Sequence, residues 1–210
     1  MVLQFFSVGL IMLASVMMPG PDFALVTKNT ILHSRRAGLY TALGINLAVA
    51  VHMTYCLLGV AVVIANSLVL FTMIKYLGAS YLVYIGLCLL RAKKHDITIG
   101  LSSKASHKVD LAAWPAIRQG FLCNLLNPKA TLFFLALFTV IIKPGTATWV
   151  QICYAIQMLS LSTIWFSLLS VMLSHPRVLA RFNRIEIYIE KSLGILLILF
   201  GVALAFFKHT

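Results

Sequence analysis

Two short stretches place opposite charges inside apolar sequence. Met18-Pro19-Gly20-Pro21-Asp22 ends in a carboxylate, and Asn127-Pro128-Lys129 ends in an ammonium. Pro19, Pro21 and Pro128 each remove a backbone donor, and Gly20 frees the chain between the first two. Within a bilayer an interrupted helix survives only inside protein or beside a wet cavity. A carboxylate there costs several kcal/mol unless it is paired, protonated or hydrated, so it marks a working site. Asp22 could instead cap a half-helix that starts at Pro21, taking bonds from its free N–H groups. The functional reading adds a ligand's ammonium or a proton.

Lys129 could snorkel to an interface. Its eleven-residue separation from Arg118 is roughly 16 Å of helix, too far for a lysine stem, which favours an inward role. Lys129 could then pair with Asp22 or receive a ligand carboxylate. Asn124 and Asn127 flank the second interruption and can satisfy backbone groups that Pro128 leaves open, or bind ligand. Asn46 and His52 lie six residues apart in another apolar run. His52 could carry protons near neutral pH or bond a neighbouring helix; both readings stand. Gln157 reads as packing. Asp96 and Asp110 fall in a polar loop, and Glu186 and Glu190 near a basic segment, so Asp22 is the one acid expected within a span.

The elements that hold these groups follow from composition. The 210 residues are 61% hydrophobic and only 10% charged, against about 25% charged in soluble domains. That excess suits a polytopic membrane protein rather than a water-soluble core. Six apolar stretches cover residues 3–27, 40–65, 69–90, 117–142, 148–173 and 187–207. Each is near the ~20 residues that cross a bilayer. They predict an all-α integral membrane protein, one domain over residues 1–210, with a linker at 92–116 acting as a hinge between halves. Three spans per half require the halves to be inverted, with the first helix of each broken. Residues 1–18 hold no Lys or Arg, so this run is expected to be a retained helix, not a signal peptide.

The net charge of +12 would suggest nucleic acid in a soluble protein. Here thirteen of the 17 basic residues fall in segments 28–39, 91–118 and 174–191, so no nucleic-acid partner is expected. The alternate connections hold only Lys75 and Lys143, and Lys129 is expected to be the only basic residue deep in a span. By the positive-inside rule the basic loops are cytoplasmic, and the N- and C-termini lie outside. Segment 176–191 predicts a short interfacial helix on membrane lipids before the last span. Gly194 and Gly201 could pack within the monomer or against a second protomer of a homo-oligomer.

Cys56, Cys88, Cys123 and Cys153 form no C-x-x-C pair and are expected to be buried free thiols. Neither a metal site nor a cofactor is indicated. The chain carries no Walker A phosphate loop, so uphill transport would draw on an ion gradient or on the membrane potential, about 2.3 kcal/mol per charge per 100 mV. A membrane enzyme would need a nucleophile or paired carboxylates beside Asp22 and His52, which the sequence lacks. A scaffold protein has little use for two broken helices of opposite charge. An exporter of a metal cation or other small solute stays as the alternative, weakened by the lone intramembrane acid and the lack of a Cys/His cluster.

Pro19-Gly20-Pro21-Asp22, then Gly38, Gly44 and His52, then Asn127-Pro128-Lys129-Ala130-Thr131-Leu132-Phe133-Phe134 form a set. Through them the chain resembles the LysE/RhtB family of bacterial amino-acid exporters over nearly its whole length. The resemblance implies an inner-membrane protein that exports amino acids such as homoserine, threonine, leucine or lysine in exchange for protons. It looks closer to the homoserine/threonine branch. In that reading Asp22, Lys129, Asn127 and Asn46 bind substrate, while Asp22 and His52 couple protons.

Overall fold

The computed structural model describes residues 2–66, 68–91, 110–141, 146–174 and 176–206, and all regular structure among them is helical. Most of the 92–116 linker, including Asp96, lies outside the described residues. In chain order the helices are α1 (Val2–Met17), α2 (Pro21–Leu32), α3 (Arg35–Asn66), α4 (Leu68–Leu90), α5 (Ala113–Leu125), α6 (Pro128–Ile141), α7 (Thr148–Leu173) and α8 (Pro176–Phe206).

Proline stands at the start of three of these helices, including α8 at Pro176, and two of the three follow a bend. Pro21 is the first residue of α2 and Pro128 the first of α6. Its fixed φ suits that position, and its missing N–H is one that the first turn leaves unpaired anyway. The chain bends by 56° between α1 and α2 and by 59° between α5 and α6. By length and hydropathy, Arg35–Gly59 of α3 and the whole of α7 can each cross a membrane, and each bent pair can form one more span. Large apolar side chains cover the outside: Phe6 is 69% exposed, Ile164 61% and Leu199 63%. A soluble monomer rarely leaves so much apolar surface in water. The core beneath includes Met12, Ile45, Leu137, Phe138 and Met158, all fully buried.

Small residues set the closest helix contacts. A Cβ on Gly120 of α5 would fall on the Thr41 carbonyl of α3, and one on Gly44 on the Ile117 carbonyl of α5. The α4–α8 seam is reciprocal. A Cβ on Gly86 would come within 2.6 Å of the Gly194 carbonyl oxygen, and one on Gly194 within 2.8 Å of the Gly86 oxygen. Gly201 meets Ala79 in the same seam. Both Gly194 and Gly201 therefore pack within the chain.

Several expectations change. Lys75 does not lie in a connection: it sits inside α4, 5% exposed, with its ammonium 5.3 Å from the Tyr76 ring centre. Lys129 is therefore not the only basic residue deep in a helix. Residues 176–191 are not a separate helix but run unbroken into the last one. Cys56 is buried, whereas Cys88 and Cys153 are exposed on the apolar surface. The first basic segment is mostly helical, because α2 continues to Leu32 and α3 starts at Arg35.

Candidate functional site

The site is built from the two bends. Gly20 is extended (φ −174°, ψ −171°) and stands at the N-cap of α2, with no side chain capping the helix. Asp22 follows in the first turn. Its carboxylate turns across to the other bend, not back to its own helix. Asn124 Nδ2 donates to Asp22 Oδ2 at 2.9 Å, and Asn127 Nδ2 donates to the same oxygen at 3.3 Å. The helix-cap role expected as the alternative for Asp22 is not what this geometry shows. Its Oδ1 is buried and accepts no hydrogen bond.

Asn127 does serve as a cap. Its Oδ1 accepts from the backbone N–H of Lys129 at 3.0 Å, closing the first turn of α6. One amide thus caps α6 with its oxygen and holds the acid of α2 with its nitrogen. Asn124 lies one helical turn earlier, so both amides face the same way. Facing a carboxylate oxygen, each must present NH2. That leaves Asn124 Oδ1 buried and unpaired.

Pro128 also explains His52. In a continuous helix the Asn124 carbonyl would accept from residue 128, which has no N–H. Asn127 N–H closes on it at 3.0 Å instead. His52 of α3, 1% exposed, lies 3.2 Å away through Nε2. Since a carbonyl only accepts, Nε2 carries the proton. Nδ1 then accepts from the Tyr55 hydroxyl, and the ring stacks on Phe134 with 5.5 Å between centres. His52 thus bonds a neighbouring helix, as one of its two sequence readings held. Asn124 stands between it and Asp22.

Asp22, Asn124, Asn127 and Lys129 line one cavity, together with Gly20, Ser15 and apolar residues. Lys129 turns inward, its Nζ over Gly20, 3.2 Å from where a Cβ would sit. The ammonium is not among the partners of the Asp22 carboxylate. The cavity has a volume of ≈ 40 Å³, room for about three waters at ~10–15 Å³ each. Asn46 stays outside this lining, and its amide donates to the Ala42 carbonyl of its own helix at 2.8 Å. It is therefore not brought to the site with the other three expected ligands.

One end of the bundle is held by a second polar cluster. Asn29 of α2 donates to Thr41 of α3 at 2.9 Å and to Gln119 of α5 at 3.0 Å. The Thr30 and Ser170 hydroxyls lie 3.1 Å apart, and Ser34 donates to Asp110 at 2.5 Å. With Gly38, Gly44 and Gly120 these bonds pull α2, α3, α5 and α7 together. Sequence reasoning missed this cluster and the direct Asn124–Asp22 bond. The spacing Asn-x-x-Asn-Pro was the one signal for the latter, since it puts both amides on one face just before the proline.

Residues 13–207 match the family described as LysE type translocator. The chain belongs to that family. An uncharacterized membrane protein of Bacillus subtilis, YrhP, is 32% identical over 89% of this chain and 91% of its own length. The threonine efflux proteins of Salmonella typhimurium and Escherichia coli are 30% and 28% identical, each over 97% of this chain and 98% of theirs. No solved structure matches the chain. LysE type translocators are membrane transporters, so at family level the chain is an amino-acid exporter rather than an enzyme.

Proposed function

We propose that the chain is a six-span secondary transporter that moves a neutral amino acid (threonine, homoserine or a similar one) out of the cytoplasm in exchange for protons. Its spans are 3–27, 40–65, 69–90, 117–142, 148–173 and 187–207, in two inverted halves, with both termini outside the inner membrane. The near-equal bends of 56° and 59° support the inverted repeat. So does the reciprocal Gly86–Gly194 contact, which is what a two-fold axis between α4 and α8 would produce.

The observation that carries the reading is the unpaired Oδ1 of Asp22 in a cavity shared with Lys129. An amino acid is a zwitterion. Its ammonium fits the free carboxylate oxygen. Its carboxylate fits Lys129 and the uncapped N-terminus of α2, where N–H groups and the helix dipole favour an anion. The positive-inside rule puts the Asn29–Thr41–Gln119 cluster on the cytoplasmic side. On this reading the cluster's bonds close that side, and substrate enters when they part. Proton binding at Asp22 releases the ammonium and resets the carrier. His52 takes part through Asn124, which it holds in place.

Cells preloaded with labelled threonine, homoserine, leucine and lysine test this reading. Wild type exports at least one of them, and Asp22→Asn exports none while inserting normally. Undiminished export by Asp22→Asn would refute the role of the carboxylate. No export of any amino acid by inserted wild type would refute the function.

A further inference from the structure

The cavity contains a second unpaired acceptor. Asn124 lines it, is 3% exposed, and has a buried Oδ1 that takes no hydrogen bond. Asp22 lines it too, and its Oδ1 is equally unpaired. A buried acceptor without a donor is costly and uncommon. These two belong to side chains already tied together by the Asn124 Nδ2 bond to Asp22 Oδ2. One amide and one carboxylate therefore each give one atom to the scaffold and keep one oxygen in reserve. A primary ammonium has three donors and no acceptor, and satisfies both oxygens at once.

The remaining lining tells what else the ligand carries. Met12, Val16, Phe23, Val49, Phe133 and Phe166 bring apolar surface from five helices, and Ser15 supplies the only side-chain hydroxyl among the described lining residues. Asp22 is the only acid among the described lining residues. Once the ammonium occupies it, a second cationic group would be buried without a counter-charge.

We propose that Asn124 binds the substrate's ammonium beside Asp22, and that the site takes α-amino acids with a primary ammonium and an apolar side chain, of the leucine or methionine kind. This rests on the exporter reading and, within the neutral amino acids, moves the preference from threonine and homoserine to apolar side chains. Threonine fits less well, because its hydroxyl would lie against Phe and Met side chains. A hydrophobic pocket rejects an added hydroxyl by at most about 100-fold, so the preference is a graded one.

The test is ligand binding to the purified full-length protein in detergent, read as thermal stabilisation over a concentration series. The panel is L-leucine, L-methionine, L-threonine, L-homoserine, L-lysine and N,N-dimethyl-L-leucine. Leucine and methionine bind tightest, and threonine, homoserine and lysine at least tenfold more weakly. Dimethyl-leucine keeps one donor for two oxygens and also binds at least tenfold more weakly. In Asn124→Leu, leucine weakens, and the ratio of leucine to dimethyl-leucine affinity shrinks. A merely structural role for Asn124 would weaken both ligands equally and leave that ratio unchanged. If Asn124→Leu does not fold, the wild-type panel still decides. Equal binding of leucine and threonine overturns the apolar preference. Equal binding of leucine and dimethyl-leucine, or an unchanged ratio in the variant, overturns the ammonium site. If no amino acid binds at all, the exporter reading fails instead.

Discussion

Asn127 holds two bonds that substitutions can separate. Its Oδ1 caps α6 through Lys129 N–H at 3.0 Å, and its Nδ2 reaches Asp22 at 3.3 Å. Losing an N-cap costs about 1 kcal/mol. A hydrogen bond to a charged group contributes about 1.5–3 kcal/mol, and the 3.3 Å length puts this one at the low end. Asn127→Ala loses both, about 2.5 kcal/mol in all. Asn127→Ser keeps a capping oxygen of comparable quality and loses only the amide, about 1.5 kcal/mol. The serine variant should therefore unfold at a temperature about 2–4 °C above the alanine variant, the shift that ~1 kcal/mol gives in a chain of this size. Transport should not recover with it, because neither variant links α6 to Asp22. Thermal unfolding in detergent and efflux from proteoliposomes supply the two readings. Full transport by Asn127→Ser would show that the residue is a cap and nothing more. Equal stability of the two variants would show that the cap contributes nothing.

Four other substitutions and one chemical probe report on the fold. Gly120→Ala drives a methyl group into the Thr41 carbonyl and should destabilise by about 1–3 kcal/mol. Gly59→Ala on the same α3 faces open space and should stabilise by a few tenths to about 1 kcal/mol, so thermal unfolding of the pair checks the packing. His52→Leu leaves the Asn124 carbonyl with one partner fewer and should cost about 1–3 kcal/mol, with His52→Gln losing less, as the same melts would show. A small membrane-permeant thiol reagent should label Cys88 and Cys153 in the folded protein and Cys56 only after unfolding, read by mass spectrometry.

The two bends were legible because proline acts through covalent structure: φ is fixed and a donor is missing wherever it occurs. Asp22 was legible because an acid stands out in apolar sequence. Facing was not legible. A helix apolar all round carries no periodic signal to tell a lipid-facing side from a core side, so Cys88 and Cys153 read as buried and were not. Lys75 was misplaced for a related reason. Its charge suggested a connection, but α3 ends at Asn66 and α4 starts at Leu68, which puts Lys75 two turns inside a helix. The glycine contacts were hidden because each needs a partner from elsewhere in the chain. Gly120 meets Thr41, 79 residues away in sequence, and nothing local at either position announces it.

Asp22 and Lys129 share a cavity without pairing, and this arrangement is what the proposal has to explain. Opposite charges in a low-dielectric site attract strongly, and a protein that needed only stability would let them meet. Here the two Asn124 and Asn127 donors hold one carboxylate oxygen, while the Lys129 ammonium lies over Gly20, at the positive end of a half-helix. The Asp22 charge acts on that cation across the cavity without a direct bond, and a bound carboxylate would give it a direct partner. An ammonium-bearing ligand completes the first charge and its carboxylate completes the second, so a zwitterion satisfies both with one molecule. A simple metal cation answers only Asp22 and makes the surroundings of Lys129 worse. The same separation links binding to movement. Asp22 belongs to α2 and Lys129 to α6, so a ligand that bridges them favours whichever arrangement of the two bends brings its own ends into reach.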